Sequence, residues 1–175
     1  MKNIGVFLSA ADVPEKYLGP AKELARLLAQ NHFNLVYGGT NKGLMRVVAD
    51  EVQKHGGKVI GVTMPRFEAI VKVDADEIIR AKDLSERKKI MAERSDAFVV
   101  LPGGIGTLDE VTELLELKKH SVHNKPIIFL NTASFYSGLK SQLEKMEVEG
   151  FLPKKLSEYV CFAETPKAVM LELEQ

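Results

Sequence analysis

Two stretches of the chain join clustered glycines to residues able to hold an anion. They are Tyr37-Gly38-Gly39-Thr40-Asn41-Lys42-Gly43-Leu44-Met45 and Leu101-Pro102-Gly103-Gly104-Ile105-Gly106-Thr107-Leu108-Asp109-Glu110. Glycine lets a backbone approach a ligand closely, and where such a turn opens a helix, free amides and the helix dipole favour phosphate or another anion. Three glycines within four positions of the second turn exceed the needs of a tight connection. The first turn fits a ligand loop and a plain connection equally well. Familiar patterns fail at both. Counted from Gly103, G-x-G-x-x-G would need glycine at Ile105 and Leu108, and counted from Gly104 it would need one at Asp109. Neither turn ends in the Gly-Lys-Ser/Thr of a Walker loop. Dinucleotide redox chemistry and P-loop hydrolysis lose most of their support.

Glu110 reads in two ways. Thr107-Leu108-Asp109-Glu110 fits a capping box, in which Thr107 caps a helix and Glu110 returns the hydrogen bond. Alternatively, a carboxylate in the first turn of a helix that opens on an anion cradle can reach the sugar of a bound nucleotide. There the dipole favours its ionised form, suiting a base or cation stabiliser. Arg87, in Leu84-Ser85-Glu86-Arg87-Lys88-Lys89-Ile90-Met91, is either part of a solvated helix face or a forked donor to phosphate or paired hydroxyls, with Met91 one turn along the same face.

The elements that must position these residues alternate along the whole chain. Apolar runs at Ile4–Leu8, Leu35–Tyr37, Val59–Val62, Ala97–Leu101, Ile127–Leu130 and Tyr159–Phe162 read as strands. Glu15–Gln30, Gly43–His55, Asp83–Ser95, Thr107–His120, Ser134–Gly150 and Thr165–Leu173 carry apolar residues at helical spacing. Strands separated by helices imply parallel pairing through right-handed crossovers, and an unbroken run such as Phe98-Val99-Val100-Leu101 implies burial on both faces. The expectation is one α/β domain over residues 1–175, a doubly wound, Rossmann-like, mostly parallel sheet flanked by helices. Its ligands should sit beyond the carboxyl ends of the strands. The irregular segment from Met64 to about Asp76 is expected to loop over that edge.

Composition narrows the classes further. Lys plus Arg and Asp plus Glu number 24 each, giving zero formal charge, so a long nucleic acid is not an expected partner while a small charged ligand is. Cys161 stands alone, which excludes an internal disulfide framework and suits a reducing, cytoplasmic setting. The start resembles a short signal peptide, but Gly5 breaks the apolar stretch and a buried first strand is the better reading. No segment is long enough to cross a bilayer, and no membrane partner is expected. His120 and His123 follow Lys118-Lys119 at a helix end, where basic side chains suit the dipole, and Asp74, Asp76 and Glu77 read as a solvated surface; no metal site is expected.

Arg87-Lys88-x-x-Met91, then Ser95-Asp96-Ala97-Phe98, then Pro102-Gly103-Gly104-x-Gly106-Thr107-x-x-Glu110 closely resembles the signature of the LOG family. These are cytokinin riboside 5′-monophosphate phosphoribohydrolases, historically labelled lysine decarboxylase-like. Tyr37-Gly38-Gly39 with Gly43-Leu44-Met45, Val59-Ile60-Gly61-Val62, His123-x-Lys125-Pro126 and Glu149-Gly150-Phe151 extend the likeness over most of the chain. The resemblance implies hydrolysis of the N-glycosidic bond of a nucleoside 5′-monophosphate, of the AMP or cytokinin riboside type, without metal or organic cofactor. It implies Arg87 and Glu110 as the catalytic pair and Gly103, Gly104, Gly106 and Thr107 at the phosphate. Gly39, Glu68, Lys88 and Met91 are implied as further substrate contacts, and a homodimer as the assembly. Thr40, Arg46, Leu117 and the Leu8-Ser9-Ala10-Ala11 turn depart from the family pattern.

Two rivals remain. One is a non-catalytic carrier of a nucleotide or a molybdenum-cofactor-type ligand on the same sheet. The other, a pyridoxal-phosphate decarboxylase, needs a large cofactor fold and a Schiff-base lysine for which this short chain shows no architecture.

Overall fold

The computed structural model describes residues 2–174. Seven strands form one parallel sheet in the order β4-β3-β2-β1-β5-β6-β7. They are β1 Asn3–Phe7, β2 Asn34–Tyr37, β3 Val59–Thr63, β4 Glu77–Arg80, β5 Ala97–Val100, β6 Ile127–Leu130 and β7 Cys161–Ala163. The helices are α1 Glu15–Gln30, α2 Gly43–Lys54, α3 Leu84–Arg94, α4 Ile105–Lys119, α5 Ser137–Val148, the single turn α6 Leu156–Tyr159, and α7 Pro166–Glu174. Side chains alternate across each strand, which explains the unbroken apolar runs. In β5, Ala97 and Val99 enter one core with α1, α2 and α7, while Phe98 and Val100 enter the other with α3 and α4.

The chain winds outward from β1 through β2, β3 and β4, then α3 carries it back to β5 on the other side of β1. That reversal leaves a crevice beyond the carboxyl ends of β1 and β5. Because α3 crosses back beneath the sheet, it packs on β1, β2 and β3, bringing Arg87 within reach of their ends.

Strand β4 was not expected. Only Ile78 and Ile79 of Glu77-Ile78-Ile79-Arg80 are partly buried, and its flanking charges face solvent at the sheet's edge, so its apolar signal is short. Helix α4 also begins two residues earlier than expected, at Ile105 with Gly104 as N-cap. Thr107 therefore lies inside the helix and caps nothing, and Glu110, its sixth residue, falls in the second turn. A side-chain cap forms instead at α3, where the N-cap Asp83 Oδ1 accepts the Glu86 amide at 2.8 Å and Glu86 Oε2 accepts the amide of Lys82, the residue before the cap, at 2.6 Å. The segment from Met64 onward does cross the strand ends, as the 3₁₀ turn Pro65–Ile70.

Candidate active site

Arg87 is 5% exposed, and each of its three guanidinium nitrogens donates a hydrogen bond. Its Nε donates to the Val62 carbonyl at 2.8 Å and Nη2 to the Gly38 carbonyl at 3.1 Å, while Nη1 donates to Glu110 Oε1 at 3.1 Å. The guanidinium thus ties the ends of β2 and β3 to α4. Gly38 is glycine for this reason, since a Cβ there would lie 2.1 Å from Arg87 Nη2. The Phe67 ring covers the guanidinium carbon, 5.7 Å from the ring centre.

Glu110 is 8% exposed. Burial lifts its pKa from 4.5 to about 7, and the neighbouring Arg87 charge only partly opposes this. The expectation that the helix dipole would keep it simply ionised is therefore corrected: desolvation outweighs a dipole that fades beyond the first turn. Between pH 6 and 8 such a carboxyl can hold or release a proton.

The pair faces a cleft of about 360 Å³ whose floor is the start of α4. Gly104 offers no side-chain cap, and the first amides of a helix have no partner within it; Gly104, Gly106 and Thr107 line the cleft. Added Cβ atoms at Gly104 and Gly106 would meet nothing within 4 Å, so no packing inside the chain explains these two glycines. Gly103, also expected at the phosphate, does not line the cleft, and its glycine is explained inside the chain, because a Cβ would fall 2.2 Å from Thr107 Oγ1. Lys88 borders the cleft too, its Nζ paired with Asp109 Oδ2 at 3.0 Å and with Glu113. Lys88 and Glu110 also border an apolar groove of about 490 Å³ between α3 and α4, walled by Phe98, Leu114, Leu117 and Val122.

Three further expected substrate contacts also lie elsewhere. Met91 is fully buried in the core with Phe98 and Val111, because the face of α3 it shares with Arg87 is the packed face. Gly39 is absent from the cleft wall. Its φ of +71° and the Val62 amide 3.3 Å from where a Cβ would sit explain its glycine through packing on β3. Glu68 is exposed, points its carboxylate at Arg80 Nη2 at 2.7 Å, and does not line the cleft. Sequence reasoning missed Phe67 and Ile70, which line the cleft from the 3₁₀ turn. Their signal was apolar side chains in an irregular segment just past a strand's carboxyl end.

The first glycine turn is occupied by the chain itself. Leu44 and Met45 donate their amides to the carbonyls of Ala11 and Ser9, at 3.1 and 3.2 Å. Gly43, at φ +52°, leaves no room for a Cβ, which would lie 2.3 Å from the Ala11 carbonyl. The same turn anchors the cleft's roof: the Asn41 amide donates to the Ile70 carbonyl at 2.7 Å and the Lys72 amide to the Gly39 carbonyl at 2.9 Å. The buried Lys72 Nζ then clamps Asp50 at 2.7 Å and Asp74 at 3.1 Å. His120 and His123 lie away from the cleft, against Glu116 and the Leu114 carbonyl.

Residues 45–173 match a family described as possible lysine decarboxylase. A probable cytokinin riboside 5′-monophosphate phosphoribohydrolase of Oryza sativa subsp. japonica is 36% identical over 179 residues, covering 99% of this chain and 72% of that protein. A cytokinin riboside 5′-monophosphate phosphoribohydrolase of Rhodococcoides fascians is 39% identical over 140 residues, covering 78% of this chain and 71% of that one. Among solved structures, the molybdenum cofactor binding protein of Rippkaea orientalis superposes with a TM-score of 0.76 at 25% identity, covering 99% and 95% of the two chains.

Proposed function

The chain belongs to the LOG family of cytokinin riboside 5′-monophosphate phosphoribohydrolases, and from that premise we propose how its own residues carry out the reaction. It is a nucleotide N-glycosidase. Its substrate is a nucleoside 5′-monophosphate of the AMP or cytokinin riboside type, and its products are the free base and ribose 5-phosphate. The observation that carries this reading is the convergence of Arg87 and Glu110 at 3.1 Å beside the uncapped start of α4.

In this mechanism the 5′-phosphate docks on the amides from Gly104 to Thr107 and fixes the ribose over Glu110. As the bond from C1′ to the base nitrogen lengthens, the sugar gains oxocarbenium character and the base leaves with the electron pair. The Glu110 carboxylate stabilises that cation and accepts a proton from the water that attacks C1′; the departing base takes up a proton in turn. A carboxyl with a pKa of about 7 is matched to this exchange near neutral pH. Arg87 is a positioning residue. Two carbonyls hold it, so it fixes the Glu110 carboxylate and limits the rise in its pKa, in place of the expected forked grip on the substrate. Lys88, held by Asp109 and Glu113, borders the mouth, and no step requires a metal or organic cofactor. We place the enzyme in the cytoplasm as a homodimer.

Incubation with AMP and chromatography for adenine and ribose 5-phosphate tests the reading. Glu110→Gln should bind the nucleotide yet release base at least about 100-fold more slowly. Equal turnover by that variant refutes the role of Glu110. The likeness to a molybdenum cofactor binding protein favours one rival, a carrier, which would return AMP unchanged.

A further inference from the structure

The turn after β6 is bent as ordinary side chains resist bending. Ala133 and Ser134, neither of them glycine, take φ values of 52° and 57°. This left-handed conformation presses Cβ on the backbone and persists only where the surroundings enforce it. Asn131 does the enforcing. Its Oδ1 accepts the Tyr136 amide at 2.7 Å, its Nδ2 donates to Glu164 Oε1 at 3.0 Å, and its own amide donates to the Ala163 carbonyl at 2.8 Å.

What the bend delivers is Tyr136. Its ring stands edge-on to Phe129 and Phe135, with centroids 4.7 and 4.9 Å away. Its buried hydroxyl donates to the Leu101 carbonyl at 2.7 Å. The phenol therefore holds the carbonyl at the start of the turn that leads to the open amides of α4. Burial raises its pKa well above the usual tyrosine value, so it remains a donor.

We propose that Tyr136 is a positioning residue for the anion cradle, its hydroxyl fixing the Leu101 carbonyl at the entry to the glycine turn and so the aim of the amides from Gly104 to Thr107. This rests on the reading of those amides as the phosphate site. Tyr136→Phe removes one oxygen and keeps the aromatic packing, with urea unfolding as the check that the variant is folded. The probe is inorganic phosphate, titrated while the backbone amide resonances of residues 104–107 are followed, and the kinetic partner is hydrolysis of AMP beside that of adenosine. In the variant the phosphate dissociation constant should rise about fivefold. KM for AMP should rise in step, kcat should stay within about twofold, and any adenosine hydrolysis should be unaltered. A phosphate constant within twofold of the unaltered chain's overturns the proposal. So does an equal loss of kcat on AMP and adenosine, which would mark a general structural defect, or a failure of those amides to respond in the unaltered chain. If the unaltered chain releases no base, the proposed activity falls, while the phosphate titration still decides the role of Tyr136.

Discussion

The two glycine-rich turns flank β1, each follows a buried strand, and each opens a helix, yet their amides meet opposite fates. At α2 the carbonyls of Ser9 and Ala11 consume the Met45 and Leu44 amides, and Gly43 is glycine because the chain presses on it. At α4 no side chain caps the start, and Gly104 and Gly106 border open space. The interiors of the helices diverge as well: the sixth residue of α2 is the core side chain Val48, and that of α4 is Glu110. At α2 the glycine is explained by its neighbours, whereas at α4 two glycines without such neighbours line the cleft.

This contrast breaks first, and hardest, at Gly43. Gly43→Ala should cost about 3 kcal/mol or more in urea unfolding, combining a left-handed backbone with overlap on main-chain carbonyls. A loss below 1 kcal/mol would mean that the first turn is looser than its hydrogen bonds imply.

Next comes the carboxyl at the sixth position. Because the folded chain holds the Glu110 proton more tightly than the unfolded chain, stability should fall as pH rises from about 4.5 through about 7, by on the order of 3 kcal/mol, and Glu110→Gln should flatten that slope. Over the same range kcat/KM should climb, since the ionised form does the work. A rate that falls with pH would assign Glu110 the proton-donor role instead.

Gly104→Ala sharpens the comparison from the other side. Stability should change by less than about 1 kcal/mol, while KM for the nucleotide rises about tenfold because the new methyl occupies the cleft. The smallest effect belongs to Glu68, whose replacement by Gln removes an exposed pair with Arg80 and should leave KM and kcat within about a factor of two.

Much of this was legible in residue types and spacing. The all-apolar strands announced a sheet covered on both faces, and Arg87 with Glu110 converges as their motifs implied. The start of α4 was misread because Ile105-Gly106 is a poor helix opening by local propensity and Thr107 to Glu110 mimics a cap. Tertiary packing around Glu110 and Val111 decides the matter. Met91 was misplaced because helical spacing tells which residues share a face, not where along that face the core gives way to the cleft. Gly39 was misplaced because a glycine's positive φ and its close neighbours exist only once β2 and β3 are paired. The burial that lifts the Glu110 pKa is likewise a property of the assembled cores, invisible in a local motif.

The roof of the cleft is stitched to the first glycine turn by the Asn41 and Lys72 amides and riveted by a buried lysine. A chamber built this way stands ready before its guest arrives. A segment pinned at these points surrenders little freedom of the chain on binding.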